Sequence, residues 1–282
     1  MSQAKVPVLI VINNLDSGGA ERHLLAVLPG LARRGYAPAV FTLTHRGQLA
    51  ARFEAAGIPV LGGDAAAMPP PAGALRQALR LLATAFALRT RLRRQPPAIL
   101  HFFLPAAYLL GGLASLGTRN SRRAMSRRSL NDYQRRHPMA AWIERLLHRR
   151  MDLLLGNSQA VTAQLRAEGA PPDRLHCLPN GIDLAPFDRA PARAETRAAL
   201  GLAPETLVLV IVANLIPYKG HADLLGALGH IKAELPASWR LFCVGRDEGI
   251  GAGLRLQAEA AGIAPHVLWL GERTDVPALL GA

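Results

Sequence analysis

Cysteine is nearly absent: only Cys177 and Cys243 occur in 282 residues, and no metal-ligand spacing surrounds them. That excludes a disulfide-stapled secreted domain and a structural zinc site, and it fits a reduced, cytosolic setting. Long apolar runs are also missing. Leu104 to Gly117 is the longest beyond the first predicted strand at 14 residues, short of the roughly 20 that cross a bilayer. Met1 to Pro7 is polar and leads directly into the strand-like VPVLIVI, so no secretory signal is predicted. Aromatic residues make up only 5%. No aromatic-interleaved basic stretch is present, which leaves a nucleic-acid-binding reading without support. Acidic residues are scarce in one part only. Residues 1–180 hold 24 Lys and Arg against 9 Asp and Glu, whereas residues 181–282 hold 9 against 11.

What remains is a chain with 50% hydrophobic residues, long enough for two domains with real cores. The most informative stretch is Leu207 to Leu228, LVLVIVANLIPYKGHADLLGAL. Its opening LVLVIVA predicts a strand buried on both faces, as in a parallel sheet. After Asn214 a loop carries Pro217, Lys219 and Gly220, and a helix begins at His221. In open α/β sheets ligands sit beyond the carboxyl ends of the strands, and a helix N-terminus there attracts anions. Lys219 adds a full positive charge. The loop therefore reads as a phosphate site, or equally as a plain βα turn with a solvated lysine.

The rest of the chain repeats the βα pattern. Val6–Ile12 predicts a first strand, followed by Asn13 to Glu21 with Gly18 and Gly19, then a helix to about Arg34. The glycines lack the G-x-G-x-x-G dinucleotide spacing, but they let a ligand approach the backbone. Strands are predicted at 38–44, 58–61, 98–103, 124–126, 151–155 and 175–178. Residues 65–73 read as a Pro- and Ala-rich loop. A helix over 74–94 places Leu75, Leu79, Leu82 and Phe86 on one face and four arginines in its last turns. Those arginines suit a helix C-terminus or an anionic lipid surface. A basic helix over 135–150 surrounds Trp142, Ile143, Leu146 and Leu147. Ser158 reads as an N-cap for the helix that follows. The composition shifts near 181–200, which places the boundary between domains 1–183 and 184–282. In the second domain the glycines from Gly249 to Gly253 read as a turn. About six strands are predicted in the first domain and three in the second.

Two adjacent arginines, Arg127 and Arg128, with Ser129, follow the predicted strand Ala124-Met125-Ser126 at the crevice edge, where they suit phosphate or carboxylate recognition. His101 lies near the end of the strand before it. The arginine-rich surface points to an anionic partner, or only to an Arg-rich genome.

The motifs share one order. Gly18-Gly19-Ala20-Glu21, Gly156-Asn157-Ser158-Gln159-Ala160, Pro179-Asn180-Gly181-Ile182-Asp183, Val212-Ala213-Asn214-Leu215 with Lys219-Gly220-His221, Val244-Gly245-Arg246 and Leu270-Gly271 together resemble glycosyltransferase family 4. The resemblance spans almost the whole chain. It implies the GT-B fold: two Rossmann-like, doubly wound parallel-sheet domains facing across a cleft, the first binding the acceptor and the second a nucleotide-sugar donor. It implies transfer with retention of configuration and without a metal, which agrees with the lack of any Asp-x-Asp pair.

The resemblance also implies site roles. Donor contacts fall on Gly18, Gly19, Asn214, Lys219, Gly245 and Arg246, with Lys219 neutralising the diphosphate leaving group. Glu21, Arg127 and Ser129 are expected at the acceptor, and His101, Arg128 and Lys219 in catalysis. The chain departs from the family in three ways. Asn214 stands where the family often has Arg, so Arg246 or Arg128 is expected to supply that charge. Arginines follow Ala124-Met125-Ser126 where many members have histidine, which moves a histidine role to His101. Finally, no Glu-x7-Glu stretch precedes Ala282, so the second domain is expected to be incomplete and the chain a truncated gene or fragment. The function implied is sugar transfer from a nucleotide-diphosphate sugar to a glycan or lipid-linked acceptor in cell-envelope polysaccharide or lipopolysaccharide synthesis. The expected location is cytoplasmic, with an anionic inner membrane face open as a peripheral docking surface, and nucleic acid is not an expected partner. The alternatives are a non-catalytic binding fragment and a GT-B-fold sugar-nucleotide epimerase.

Overall fold

The computed structural model describes residues 4–16, 18–63, 74–118 and 121–282. The chain divides into two compact units, Met1–Ile182 and Asp183–Ala282. The predicted loop at 65–73 lies outside the described residues.

The first unit runs β1 (Val6–Ile12), α1 (Gly19–Arg33), β2 (Tyr36–Thr42), α2 (Ala50–Ala55), β3 (Val60–Gly62), α3 (Ala74–Arg94), β4 (Ile99–Phe103), α4 (Pro105–Ala114), β5 (Arg122–Arg127), α5 (Pro138–His148), β6 (Leu153–Gly156), α6 (Gln159–Ala167) and β7 (Leu175–Cys177). Seven strands, one at each segment predicted above and one more than the rounded count of six, form one sheet in the order β3-β2-β1-β4-β5-β6-β7. Every pairing is parallel. Strand order reverses between β1 and β4, and this switch point is where open α/β sheets take ligands. The central strands are apolar on both faces because helices cover both. Leu24, Leu28 and Phe53 pack one face. Leu88, Leu92, Tyr108, Leu147 and Leu165 pack the other.

Helix α3 forms where the sequence predicts it, but with its apolar phase rotated. Leu79 and Leu82 are exposed and Phe86 is 72% exposed, while Leu88 and Leu92 are fully buried. Leu81, Ala85, Leu88 and Leu92 recur at 4, 3 and 4 residues, the spacing of one helix face. The expected stripe instead continues outward into Arg93, which no core accepts. Leu75, its first member, lies outside the described side chains. Pro138 breaks the predicted helix over 135–150. A 3-10 turn at Asp132–Arg135 precedes α5, which Pro138 opens. Ser158 caps α6 as expected, its hydroxyl accepting from the Val161 N–H at 3.2 Å.

The second unit contains α7 (Ala185–Asp188), α8 (Arg193–Ala199), β8 (Leu207–Val212), α9 (His221–His230), β9 (Trp239–Val244), α10 (Gly251–Ala260), β10 (Val267–Gly271) and α11 (Val276–Gly281). Its three parallel strands lie in the order β10-β9-β8. Here β8 differs from expectation. It is an edge strand of intermediate burial, and β9 is the buried centre. Sequence alone could not assign the edge, because each of the three strands is apolar enough for the middle. Gly251 and Gly253 belong to α10 and not to a turn. Asp247 gathers the N–H groups of Gly249, Ile250 and Gly251 at 2.9, 3.1 and 2.9 Å, and that cap starts the helix at Gly251.

Candidate functional site

In the first unit the chemistry-bearing residues are strung along the carboxyl edge of the sheet. The loop after β1 is stitched to the loop after β2. The Asn13 carbonyl accepts from the Leu43 and Thr44 N–H groups, each at 3.0 Å, and His45 Nε2 meets Asp16 Oδ2 at 2.8 Å. Gly18 is the N-cap of α1 and Gly19 its first residue. Their surroundings differ. A Cβ on Gly18 would fall 2.2 Å from Glu21 Oε2, whereas one on Gly19 would meet nothing within 4 Å. Glu21 therefore folds back over Gly18 and leaves Gly19 facing open space. Burial raises the Glu21 carboxyl above its ordinary pKa, its backbone hydrogen bond opposes that rise, and nearby Asp16 reinforces it.

On β4 and β5, His101 Nε2 lies 2.8 Å from Ser126 Oγ, and its ring packs on Phe103 at 4.6 Å. Burial, aided by the charge of Arg128, lowers His101 to about 3. It is a neutral imidazole at physiological pH. The Arg128 guanidinium lies 4.9 Å from the Phe103 ring centre, donates to Asn180 Oδ1, and leaves Nε without a partner among the described residues. Asn157 Nδ2 donates to the Arg128 carbonyl at 3.1 Å. His23 approaches the Gly181 carbonyl at 3.4 Å. Burial and Arg128 lower its pKa, while the Gly181 contact opposes them. The Asn157 and Asn180-Gly181 motifs thus converge on Arg128 and His23. His23 went unremarked in the sequence because a single helical histidine carries no spacing signal.

Arg127, expected at the acceptor, is not at this edge. It is the last residue of β5 and is 3% exposed. Its guanidinium pairs with Glu144 at 2.8 Å and Glu168 at 2.7 Å. Glu168 also accepts from His148 at 3.2 Å, and His148 Nδ1 meets the Tyr108 hydroxyl at 2.9 Å. Arg127 is a structural group that anchors α5 and α6 to the sheet. Ser129 is exposed, past the strand end.

The second unit has its own edge. Gly220, at φ 79°, turns the chain from the 3-10 turn Pro217–Lys219 into α9. Among the described residues no side chain caps the first N–H groups of α9, whose first turn also holds Asp223, and uncapped N–H groups of this kind can take an anion. Lys219 is exposed beside them, its Nζ 5.1 Å from the Tyr218 ring centre. Behind it His221 is buried, and that burial lowers its pKa against a backbone contact from Ala213. Gly245, at φ 155°, lets β9 pass so close to β8 that a Cβ would fall 2.0 Å from the Ala213 carbonyl oxygen. Asn214 Oδ1 accepts from the Arg246 N–H at 3.2 Å, and Arg246 Nε donates to Glu248 at 2.9 Å. Glu248, which the sequence did not single out, therefore offsets the charge expected of Arg246. Among the described residues no group of three His, Cys, Asp or Glu side chains converges as a metal site.

Two parallel-sheet units, each carrying polar and cationic groups at the carboxyl edge of its strands, define the fold as GT-B, that of a large class of glycosyltransferases. Residues 17–186 match the family Glycosyltransferase Family 4, and residues 192–282 match Glycosyl transferases group 1. The chain belongs to glycosyltransferase family 4. It is 30% identical over 275 residues to a D-inositol 3-phosphate glycosyltransferase of Rhodococcus jostii, covering 90% of this chain and 60% of that protein. It is 33% identical over 109 residues to the putative glycosyltransferase EpsF of Bacillus subtilis, covering 38% and 28%. Anabaena Alr3699/HepE, solved in complex with UDP-glucose, superposes with a TM-score of 0.75 at 21% identity, covering 97% of this chain and 71% of that one. The lipopolysaccharide glycosyltransferase WaaG superposes with a TM-score of 0.71 at 17% identity, covering 98% and 72%. The chain thus spans about three fifths of the Rhodococcus relative's length.

Proposed function

We propose that this chain takes part in retaining transfer of a sugar from a nucleotide-diphosphate sugar to a glycan or lipid-linked acceptor. The observation that carries this is the turn between β8 and α9. An exposed Lys219 stands beside an uncapped helix N-terminus, opened by a left-handed Gly220. When the bond between the anomeric carbon and the diphosphate oxygen breaks, the electron pair stays on the diphosphate. Lys219 and the α9 N–H groups meet that growing charge, and a new bond forms from an acceptor oxygen to the same carbon. The acceptor oxygen gives up its proton in that step to an oxygen of the departing diphosphate, which has gained the electron pair. The HepE complex makes UDP-glucose the natural donor to try. In this reading no metal is required, because cationic and N–H groups do the work of a cation at the diphosphate.

In the first unit, the open Gly19, the raised Glu21 carboxyl, the neutral His101 and Arg128 suit a polyol or anionic group. Their assignment to acceptor, sugar and catalysis follows the family resemblance. No described helix is long and apolar enough to cross a membrane. The outward face of α3, with Leu79, Leu82 and Phe86 running into Arg93 and Arg94, supports peripheral docking on an anionic membrane. A cytoplasmic enzyme of cell-envelope polysaccharide or lipopolysaccharide synthesis fits that placement.

The test is UDP-glucose binding and turnover with Lys219→Ala. Losing a group that stabilises the leaving charge costs on the order of a hundredfold in turnover. Unchanged binding and unchanged turnover would remove Lys219 from the reaction. The first-formed anomer of the sugar released from UDP-glucose, read by NMR, reports retention or inversion.

A further inference from the structure

A groove of about 660 Å³ opens in the first unit between α3, α4 and α5, within the roughly 300–1,000 Å³ typical of small-molecule sites. Its wall is hydrocarbon. Leu81 comes from α3, Leu109, Leu110 and Leu113 from α4, and Met139 and Ile143 from α5. These side chains are not all buried: Leu113 is 44% exposed and Met139 is 74% exposed. Asn13 and Leu43, which follow β1 and β2 at the carboxyl edge of the sheet, also line it. So do Arg136 and His137, both exposed. Arg136 makes no salt bridge among the described residues, and α4 carries no charged residue. The only carboxylate of α5, Glu144, is turned inward to Arg127.

A wall of leucines joined by a sheet-edge asparagine and an arginine without a salt bridge among the described residues does not suit a sugar, whose hydroxyls would lose their water without a partner. It suits a hydrocarbon chain tied to an anion. We infer that the groove holds one hydrocarbon chain of the sugar acceptor, with the acceptor's phosphate at Arg136. This rests on the transferase reading and deepens it: the acceptor is an anionic amphiphile, not a free polyol. The groove is separate from the α3 face of Leu79, Leu82 and Phe86, which points away from the core side of the same helix.

The test uses the 282-residue chain and butyl, octyl and dodecyl phosphate below their micelle concentrations, with inorganic phosphate as reference, in titration calorimetry. Burial of each methylene should tighten binding by about three- to fourfold until the groove is filled. Leu113→Gln and Met139→Gln, both at exposed positions, should flatten that chain-length dependence and leave the fold intact. Leu82→Gln, on the other face of α3, should not. Arg136→Gln should weaken all four ligands by a similar factor. A flat chain-length series in the parent protein overturns the proposal. So does a series weakened by Leu82→Gln and not by Leu113→Gln, because the chain would then lie on the outer face. Dimerisation that Met139→Gln abolishes would also overturn it, since a second copy would then fill the groove. UDP-glucose binding is measured on the same samples. Its absence would sink the donor-site reading while leaving the alkyl phosphate result to stand or fall separately.

Discussion

Glu168→Gln tests the buried network beneath the first unit's edge. The side chain of Glu168 is almost fully enclosed, and it accepts from Arg127 at 2.7 Å and His148 at 3.2 Å. Burial pushes its carboxyl up. The hydrogen bonds from His148 and Arg127, with the charge of Arg127, outweigh burial and bring it from the ordinary 4.5 down to about 2. A depression of that size corresponds to about 3 kcal/mol favouring the folded, ionised form. Because the folded value is the lower one, this stabilisation is complete above about 4.5 and is lost as pH falls toward 2. Gln keeps the shape and removes the charge, leaving Arg127 with Glu144 alone. At pH 7 the variant should lose about 3 kcal/mol, in line with breaking a buried ion pair. Hydrogen exchange of the β5 and α6 amides reads this as about a hundredfold fall in protection, with second-unit peptides as the internal control. The gap between parent and variant should hold from pH 7 to 5 and narrow as pH drops from 4.5 toward 2. Asp152→Asn, which breaks the exposed Arg122–Asp152 pair, should cost under about 1 kcal/mol. A Glu168→Gln variant within about 1 kcal/mol of the parent at pH 7 would refute the reasoning. A gap that does not change between pH 5 and 2.5 would do the same.

Two further tests concern the edge itself. His101, with a folded pKa near 3 against an ordinary 6.5, should show no titration between pH 5 and 8 by NMR. The unfolded chain takes up that proton first, so the histidine should withdraw stability as pH falls below 6.5, an effect His101→Gln removes. A ring that titrates near 6 would show that it is solvated. The two glycines should also separate. Gly18→Ala must displace the Glu21 carboxylate, and its melting temperature should fall. Gly19→Ala meets open space, so its stability should match the parent's within about 1 kcal/mol while UDP-glucose affinity drops about tenfold, a cost of about 1.4 kcal/mol. A Gly19→Ala chain that binds normally would show that no ligand approaches this backbone.

Most of the fold was legible because a parallel α/β sheet writes itself locally. Buried strands are short apolar runs, and their loops carry Gly, Asn and Pro at fixed places. The Ser158 cap and the Gly220 turn were readable for the same reason, since each depends on neighbours in sequence. What failed depended on neighbours in space. Both candidate faces of α3 are apolar at helical spacing, and only the partner layer decides that Leu88 and Leu92 go in while Leu82 and Phe86 stay out. His23 was invisible because it matters through a residue far away in the chain, Gly181, and Glu248 because nothing in Arg246-Asp247-Glu248 says which carboxylate takes the arginine.

The two adjacent arginines could have been separated from the sequence with one more step. Successive residues of a strand point to opposite faces. If β5 extends through Arg127, as its pairing with Gly156 on β6 shows, then Arg127 must enter a helix layer and Arg128 must leave the strand. A charge driven into a helix layer needs carboxylates there. Glu144 and Glu168 are the only glutamates between residues 55 and 194, one on α5 and the other at the end of α6. A buried arginine near two otherwise isolated glutamates is a structural triad, and its neighbour lies past the strand end, against Asn180 and Phe103. That division makes Arg127 a structural group and leaves Arg128 as the candidate at the edge. It follows that Arg127→Met with both glutamates changed to Gln should recover more stability than Arg127→Met alone, because the cost lies in the unpaired carboxylates. Arg128→Met should leave stability nearly unchanged and alter only what binds at the edge.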